Sequence, residues 1–382
     1  MRRKISMLLF ILLLLLGTDV RASTDETTRS KARIIAAQSV QNGEGEIYRF
    51  TARVLDGPYL DNEVRGEFAP YANSQYDFRL RKGMIVHIQL YMHDSELHGD
   101  IVGVHRLDHL KWLAVICVLA ILLFGKLRGL TALISLVMTG LCILFIYIPM
   151  VLGGYEIVFV TILCAVIIIV TGFLLIAGWT PKSRASMTGT LGGVIVAALL
   201  ASYFCRSVSI TGAAGEEVYR LVHESGISLD FSSLFISGVI IGTIGVMMDV
   251  SMSVASFIFE LKNQSPSMRF TSLVASGLKV GKDIMATMVN TLILAYVGTS
   301  MPLLFLFVSA SITAPVALNA EVVAGEIIRS LSGTIGLVLT IPLTALIAAY
   351  IAQSSAGSFR SGRSYQRPKD IKKQGRMRSP VP

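Results

Sequence analysis

The sequence predicts an α-helical polytopic membrane bundle of about seven spans, preceded by an N-terminal signal or anchor and a small exported all-β (OB-like) domain. Three observations carry this prediction. Only 15% of the 382 residues are charged and 53% are hydrophobic, whereas about a quarter of a soluble domain is charged; mean hydropathy is +0.65. The charge is gathered in residues 18–110 and after residue 358, leaving a middle whose apolar runs approach the roughly 20 residues that cross about 30 Å of hydrocarbon. The one extended polar stretch alternates apolar and polar residues with period 2, as half-buried strands do.

Residues 1–24 read as a signal peptide or an N-terminal anchor. MRRK precedes ISMLLFILLLLLG, an apolar core short for a span, and Val20-Arg21-Ala22 offers a small-x-small cleavage site with arginine at its centre. Either way, residues 25–110 are expected to be exported. There ARIIAAQSV, EIYRFTARVLDG, YDFRLRKGMIVHIQLYMHD and HGDIVGVHRL supply four or five short strands separated by Gly, Asn and Asp, enough for a small barrel or sandwich, with an OB-like barrel the preferred form. A helical bundle occupies 111–353, with spans expected at 112–124, 129–151, 155–177, 187–205, 229–250, 284–312 and 331–352. The sixth is overlong and interrupted at Gly298 and Pro302.

Charge distribution orients these spans. Between Arg360 and Arg378 the tail, residues 354–382, carries eight basic residues against Asp370 alone. It lacks apolar periodicity and reads as a disordered cytoplasmic segment that touches anionic lipid, not as a nucleic-acid arm. With 25–110 outside, seven crossings place Lys126/Arg128, Lys182/Arg184, the 262–282 segment and the tail on one side. The loop 206–228, with Glu216, Glu217 and Glu224, falls on the other. The four cysteines, Cys117, Cys142, Cys164 and Cys205, lie in or at the ends of apolar runs and read as small buried hydrophobes.

The fifth span is the most informative. Gly238, Gly242, Gly245, Asp249, Ser253, Ser256 and Glu260 follow one another at helical spacing on one face. The glycines Gly238, Gly242 and Gly245 are expected to let another helix approach closely. The polar half carries two carboxylates, and an acid within a span marks an ion or proton path; the alternative is that Asp249 caps the polar end of the helix. The next span repeats the pattern with Asp283, Thr287, Asn290, Leu294 and Gly298. Pairing the two faces would bring Asp249, Ser253, Glu260, Asp283, Thr287 and Asn290 into one candidate ion or solute site, or into interhelical hydrogen-bond glue. Gly189, Gly192 and Gly193 form a second close-packing face.

Five of the six histidines lie between His87 and His109, interleaved with Asp94, Asp100 and Asp108. Without an HxH or HExxH pattern, and with alternation dividing them between two strand faces, they read as domain surface, and no metal or other cofactor is expected. No enzyme signature appears; a Glu216-Glu217 pair alone could be nominated for a membrane-embedded enzyme, and a non-enzymatic role is expected.

ARIIAAQSV and RFTARVLDGPY, then SITGAAGEEVYRL, GVIIGTIGVMMDVSMSVASFIFEL, VGKDIMATMVNTLILAYVGTSMPLLFLF and EIIRSLSGTIGLVLTIPLTA, occur in an order that resembles the YibE/F-like membrane proteins of bacteria, over about residues 30–352. The resemblance implies a bacterial multi-pass cell-membrane protein with an exported β-domain, and no mechanism. Asp249, Glu260, Asp283 and Asn290 fall inside its most characteristic segments. A histidine-rich exported domain and a long basic tail depart from the pattern. The leading functional expectation is a secondary transporter or permease for an ion or small solute. The rival is an envelope assembly or sensor protein whose β-domain binds a protein or polymer partner.

Overall fold

A computed structural model describes residues 28–42, 45–69, 79–93, 96–213, 218 and 229–359. The signal or anchor segment, Glu216, Glu217, Glu224 and the basic residues of the tail lie outside the described residues. The chain divides into two compact units, Met1–Gly129 and Leu130–Pro382.

In the first unit β1 (Thr28–Asn42), β2 (Gly45–Val54), β3 (Glu63–Phe68), β4 (Ile85–His93) and β5 (Glu96–Val104) close into a barrel in the order β1-β2-β3-β5-β4. β1 pairs with both β2 and β4, and a register shift between Ile34 and Ala36 bends it from one neighbour to the other. All ladders are antiparallel except β3 with β5, the arrangement of an OB-type barrel. The expected alternation supplies the core: Ala32 and Ile34, Tyr48, Phe50, Ala52 and Val54, and Val86, Ile88 and Leu90 are all buried. β3 escaped the pattern because its inward positions are Val64, Gly66 and Phe68, and glycine interrupts the apolar alternation. A Cβ at Gly66 would overlap the Gly99 carbonyl and lie 2.6 Å from the Phe50 ring. The parallel closure between β3 and β5 therefore excludes any side chain there.

Among the described residues six helices are long and apolar enough to cross a membrane, not seven. They are α1 (Leu107–Leu152), α2 (Ile157–Ala177), α3 (Pro181–Ser207), α4 (Phe231–Gln264), α5 (Phe270–Thr299) and α8, whose range Glu321–Phe359 begins after the short α6 (Met301–Ser309) and α7 (Ala314–Asn319). The count differs because 112–124 and 129–151 run on as one stretch, in which two helices meet at a sharp kink at Lys126, φ 48° and ψ −126°. The chain turns back there, since a Cβ at Gly129 would fall on the Ile121 carbonyl. The sixth predicted span breaks as expected: α5 ends at Thr299, and Pro302 sits in the first turn of α6. Pro342 is carried inside α8.

In the second unit α3, α4 and α8 pack on one another, α2 lies against α3 and α4, and α5 lies against α4 and α8. Small residues make the closest approaches, because without a hydrophobic driving force membrane helices associate by backbone proximity and interhelical hydrogen bonds. Added Cβ atoms at Gly189 and Gly193 would fall on Thr344 and Thr340 of α8, and one at Gly336 would lie 2.8 Å from the Gly193 carbonyl. Hydroxyls bridge the same helices: Thr161 and Ser237 at 2.6 Å join α2 to α4, and Thr190 and Ser251 at 2.7 Å join α3 to α4. The packing role expected of Gly238, Gly242 and Gly245 is corrected here. Gly238 and Gly245 face open space, and Gly242 meets only the Tyr296 hydroxyl. α4 buries other faces, through Val239, Ile240, Met247, Val250, Val254 and Ile258. Cys142, Cys164 and Cys205 are buried as expected, whereas Cys117 is exposed.

Candidate functional site

α4 and α5 lie side by side, as the sequence pattern required, but their polar stripes do not meet between them. Asp249, Ser253, Glu260, Asp283, Thr287 and Asn290 are all exposed on the single chain. The Ser253 hydroxyl donates to the Asp249 carbonyl at 2.8 Å, that of Thr287 to Ile284 at 2.9 Å, and Gln264 donates to Glu260 at 3.0 Å, so each stays on its own helix. The inward positions of α5 are Leu273, Gly277, Gly281 and Leu292. Close packing thus takes the small and apolar faces and turns the polar ones outward.

A different cluster assembles at one end of the bundle. Glu326 and Arg329, one turn apart on α8, form an ion pair of 2.6 Å with side chains about three-quarters buried, 24% and 28% exposed. The Arg329 guanidinium lies 4.9 Å over the ring of Phe235 from the start of α4, a favourable cation–π geometry. Tyr296, from the last turn of α5, lines the same cavity as Glu326. That cavity, of about 280 Å³, has apolar walls from α5, α6 and α8, including Ile293, Leu304, Ile327 and Leu331, with Ser300 and Ser330 as further polar groups. The Tyr296 hydroxyl, Glu326 Oε2 and Arg329 Nε are buried without a hydrogen-bond partner among the described residues. Close by sequence, Glu321 at the N-terminus of α8 accepts hydrogen bonds from the Thr211 amide and hydroxyl, both at 2.7 Å, and from the Gly212 amide at 3.0 Å. This carboxylate ties the segment after α3 to α8.

Sequence reasoning missed Glu326 and Arg329 because the last span was drawn from residue 331, which left them in a loop. The signal that would have found them is the Glu-x-x-Arg spacing in EIIRS, which puts opposite charges on one helical face.

The family model described as YibE/F-like protein matches residues 113–354. The chain belongs to the YibE/F-like family. No curated protein and no solved structure matches it. The stretch shared with the YibE/F-like model contains both the outward stripes and the Glu326–Arg329 cluster, whereas the barrel lies before it.

Within the barrel of this YibE/F-like protein, two of the histidines form a hydrogen-bonded pair. His105 Nδ1 and His87 Nε2 are 3.0 Å apart, and His105 Nε2 lies 3.3 Å from the Asp108 carboxylate. One ring nitrogen in the pair must accept, so both imidazoles cannot be cations without losing the bond. Burial lowers the pKa of His87, with His105 and Lys31 adding to the effect and Asp56 opposing it. The folded barrel therefore resists a proton that the unfolded chain takes up near pH 6.5. Stability from this site is complete above that pH and is lost as pH falls toward the depressed folded value. Protection factors of the β1 and β4 amides in the detergent-solubilised chain, taken relative to the intrinsic exchange rate at each pH, should decrease between about pH 7 and 5.5. The dependence should flatten in His87→Gln; an equal dependence in the variant would assign it elsewhere.

Proposed function

We propose that this YibE/F-like protein is a secondary transporter or permease that moves an ion or small solute across a bacterial cell membrane. The observation that carries the reading is the Glu326–Arg329–Tyr296 cluster beside a cavity at the break between α5 and α6. A buried polar atom without a partner costs about 1–3 kcal/mol. Three such atoms around one ion pair are accounted for when a small polar guest supplies the missing bonds. A break between helices beside a site is also where membrane transporters expose backbone groups to their cargo. A near-neutral ion pair favours a proton or a small solute with both donor and acceptor groups. Asp249, on the exposed polar face, is the second candidate for coupling a proton or cation.

The charge pattern supports the orientation. Lys182, Arg184 and Arg269 lie at the opposite end of the bundle from Glu326, and the positive-inside rule makes theirs the cytoplasmic end. The stretch Leu107–Leu152 is two helices joined at the Lys126 kink, where Gly129 comes back against the Ile121 carbonyl. We count α1 as two crossings, with Lys126 and Arg128 on the cytoplasmic side, which leaves the barrel outside and the tail inside.

The test is ligand-dependent thermal stabilisation of the solubilised full chain across a panel of cations, pH values and small solutes. A ligand at 100 times its Kd should add about 2.7 kcal/mol. That shift should be lost in Glu326→Gln and retained in Lys111→Ala, a change in the first unit. No shift across the panel, with the protein folded, would transfer the weight to a partner-binding role. That second reading is favoured by one feature, a groove of about 610 Å³ on the barrel lined by Gln38, Arg49, Arg65, Tyr91, His98 and Asp100.

A further inference from the structure

The outward polar faces of α4 and α5 are incompatible with lipid. A charged side chain at the centre of a membrane helix costs about 2.5–3.5 kcal/mol even on the mildest scales. Yet Asp249, Ser253 and Glu260 on α4 and Lys279, Lys282 and Asp283 on α5 are all exposed on the single chain, and none of these charges forms an ion pair among the described residues. These faces must be covered.

The arrangement of charge identifies what covers them. Two close approaches set the register of this antiparallel pair: a Cβ at Gly277 would meet Ile258, and one at Gly242 would meet the Tyr296 hydroxyl. On that register Gly238 lies at the depth of Gly298, Gly245 at that of Asn290, Asp249 at that of Thr287, and Glu260 within about a turn of Lys279. Side chains on a helix lean toward its N-terminus, so Glu260 and Lys279, on antiparallel helices, lean toward a common level. The acids of α4 and the lysines of α5 are thus matched in depth and unpaired within the chain. Two copies in one membrane with the same orientation are related by an axis along the membrane normal, which preserves depth. A two-fold contact is also self-complementary, so that α4 of each copy meets α5 of the other. The exposed Gly238, Gly242 and Gly245 leave room for a helix backbone to approach.

We propose that a second copy of this chain covers the face, with α4 of each protomer packed on α5 of its partner, Glu260 of one beside Lys279 of the other, and Asp249 enclosed with the partner's Thr287. The polar seam expected between α4 and α5 of one chain is completed between two chains. This inference does not rest on the transport reading, because the dimer is required by the exposed charges whatever the bundle carries.

The full chain reconstituted in phosphatidylethanolamine–phosphatidylglycerol vesicles tests it, with the dimer fraction counted by single-molecule photobleaching as protein is diluted in lipid. The wild type should be dimeric. Glu260→Lys should weaken the dimer by at least about tenfold, as loss of an interfacial charge pair does, and Glu260→Lys with Lys279→Glu should restore it. In a Cys117→Ser background, Gly245→Cys mixed with Asn290→Cys should cross-link unlike chains. All these positions are exposed on the single chain, so the variants should stay folded with the wild-type helical content by circular dichroism. A monomer at every dilution, a dimer indifferent to charge reversal, or a different chain co-purifying stoichiometrically in place of the second copy would each overturn the proposal.

Discussion

Arg329→Ala is expected to destabilise the helical unit by about 2–3 kcal/mol, toward the lower edge of the range for breaking a buried pair because both side chains keep about a quarter of their exposure. The loss has three parts. Glu326 would keep its charge beside an apolar cavity with neither oxygen paired, since Oε2 is already without a partner. The cation over the Phe235 ring would disappear, removing one of the contacts between α8 and α4. Removing the long side chain would also leave a void among α4, α5 and α8. The double variant Glu326→Gln with Arg329→Met should recover most of the stability, because replacing both partners with neutral groups of similar size removes the orphaned charge. Thermal unfolding of Glu326→Gln, Arg329→Met and the double variant in one detergent, beside the wild type, measures this as a double-mutant cycle. Single losses that simply add in the double variant would show that the pair is not coupled. In transport terms the double variant should be folded but unable to bind the solute, which separates stability from function.

Gly193→Val is expected to be at least as damaging, about 3 kcal/mol or more, and to reduce the yield of monodisperse protein. The first added carbon would fall on the Thr340 hydroxyl and lie 2.9 Å from the Gly336 carbonyl. A hydroxyl can rotate away, but the Gly336 carbonyl belongs to the backbone of α8, so relief requires the α3–α8 pair to separate. Overpacking penalties of 1–3 kcal/mol are typical where side chains can adjust, and here the obstacle is main chain. Gly140→Ala is the control. A Cβ there meets nothing within 4 Å, and exchanging a helical glycine for alanine should stabilise by about 0.5–1 kcal/mol. Equal melting temperatures for the two variants would contradict the close approach of α3 and α8.

The same contrast explains why the site was harder to anticipate than the fold. Apolar periodicity located the helices, because hydrocarbon thickness imposes a length that any span must meet. Period-2 alternation located β1, β2, β4 and β5, and lost β3 only where Gly66 makes room for the Gly99 carbonyl. The Gly189–Gly193 cluster was recognised as a packing face, since small residues at helical spacing have few other uses in a membrane. The stripe of Gly238, Gly242 and Gly245 has the same spacing and points outward. One-dimensional pattern cannot separate two such faces, because both satisfy the geometry of close approach and only the placement of the other helices chooses between them.

The sequence by itself determined the class of this protein, its division into a barrel and a helical unit, the polar faces of α4 and α5, and its YibE/F-like character. The first three depend on periodicity or composition along single segments, and the last is a resemblance carried by motifs in order along the chain. Only the tertiary structure decided that Glu326, Arg329, Tyr296 and Phe235 share one end of the bundle, and that Asp249 and its neighbours face outward. Residues from three helices meet only where packing brings those helices together, and that packing is governed by the backbone approaches at Gly189, Gly193 and Gly336, far along the chain from the charges they position.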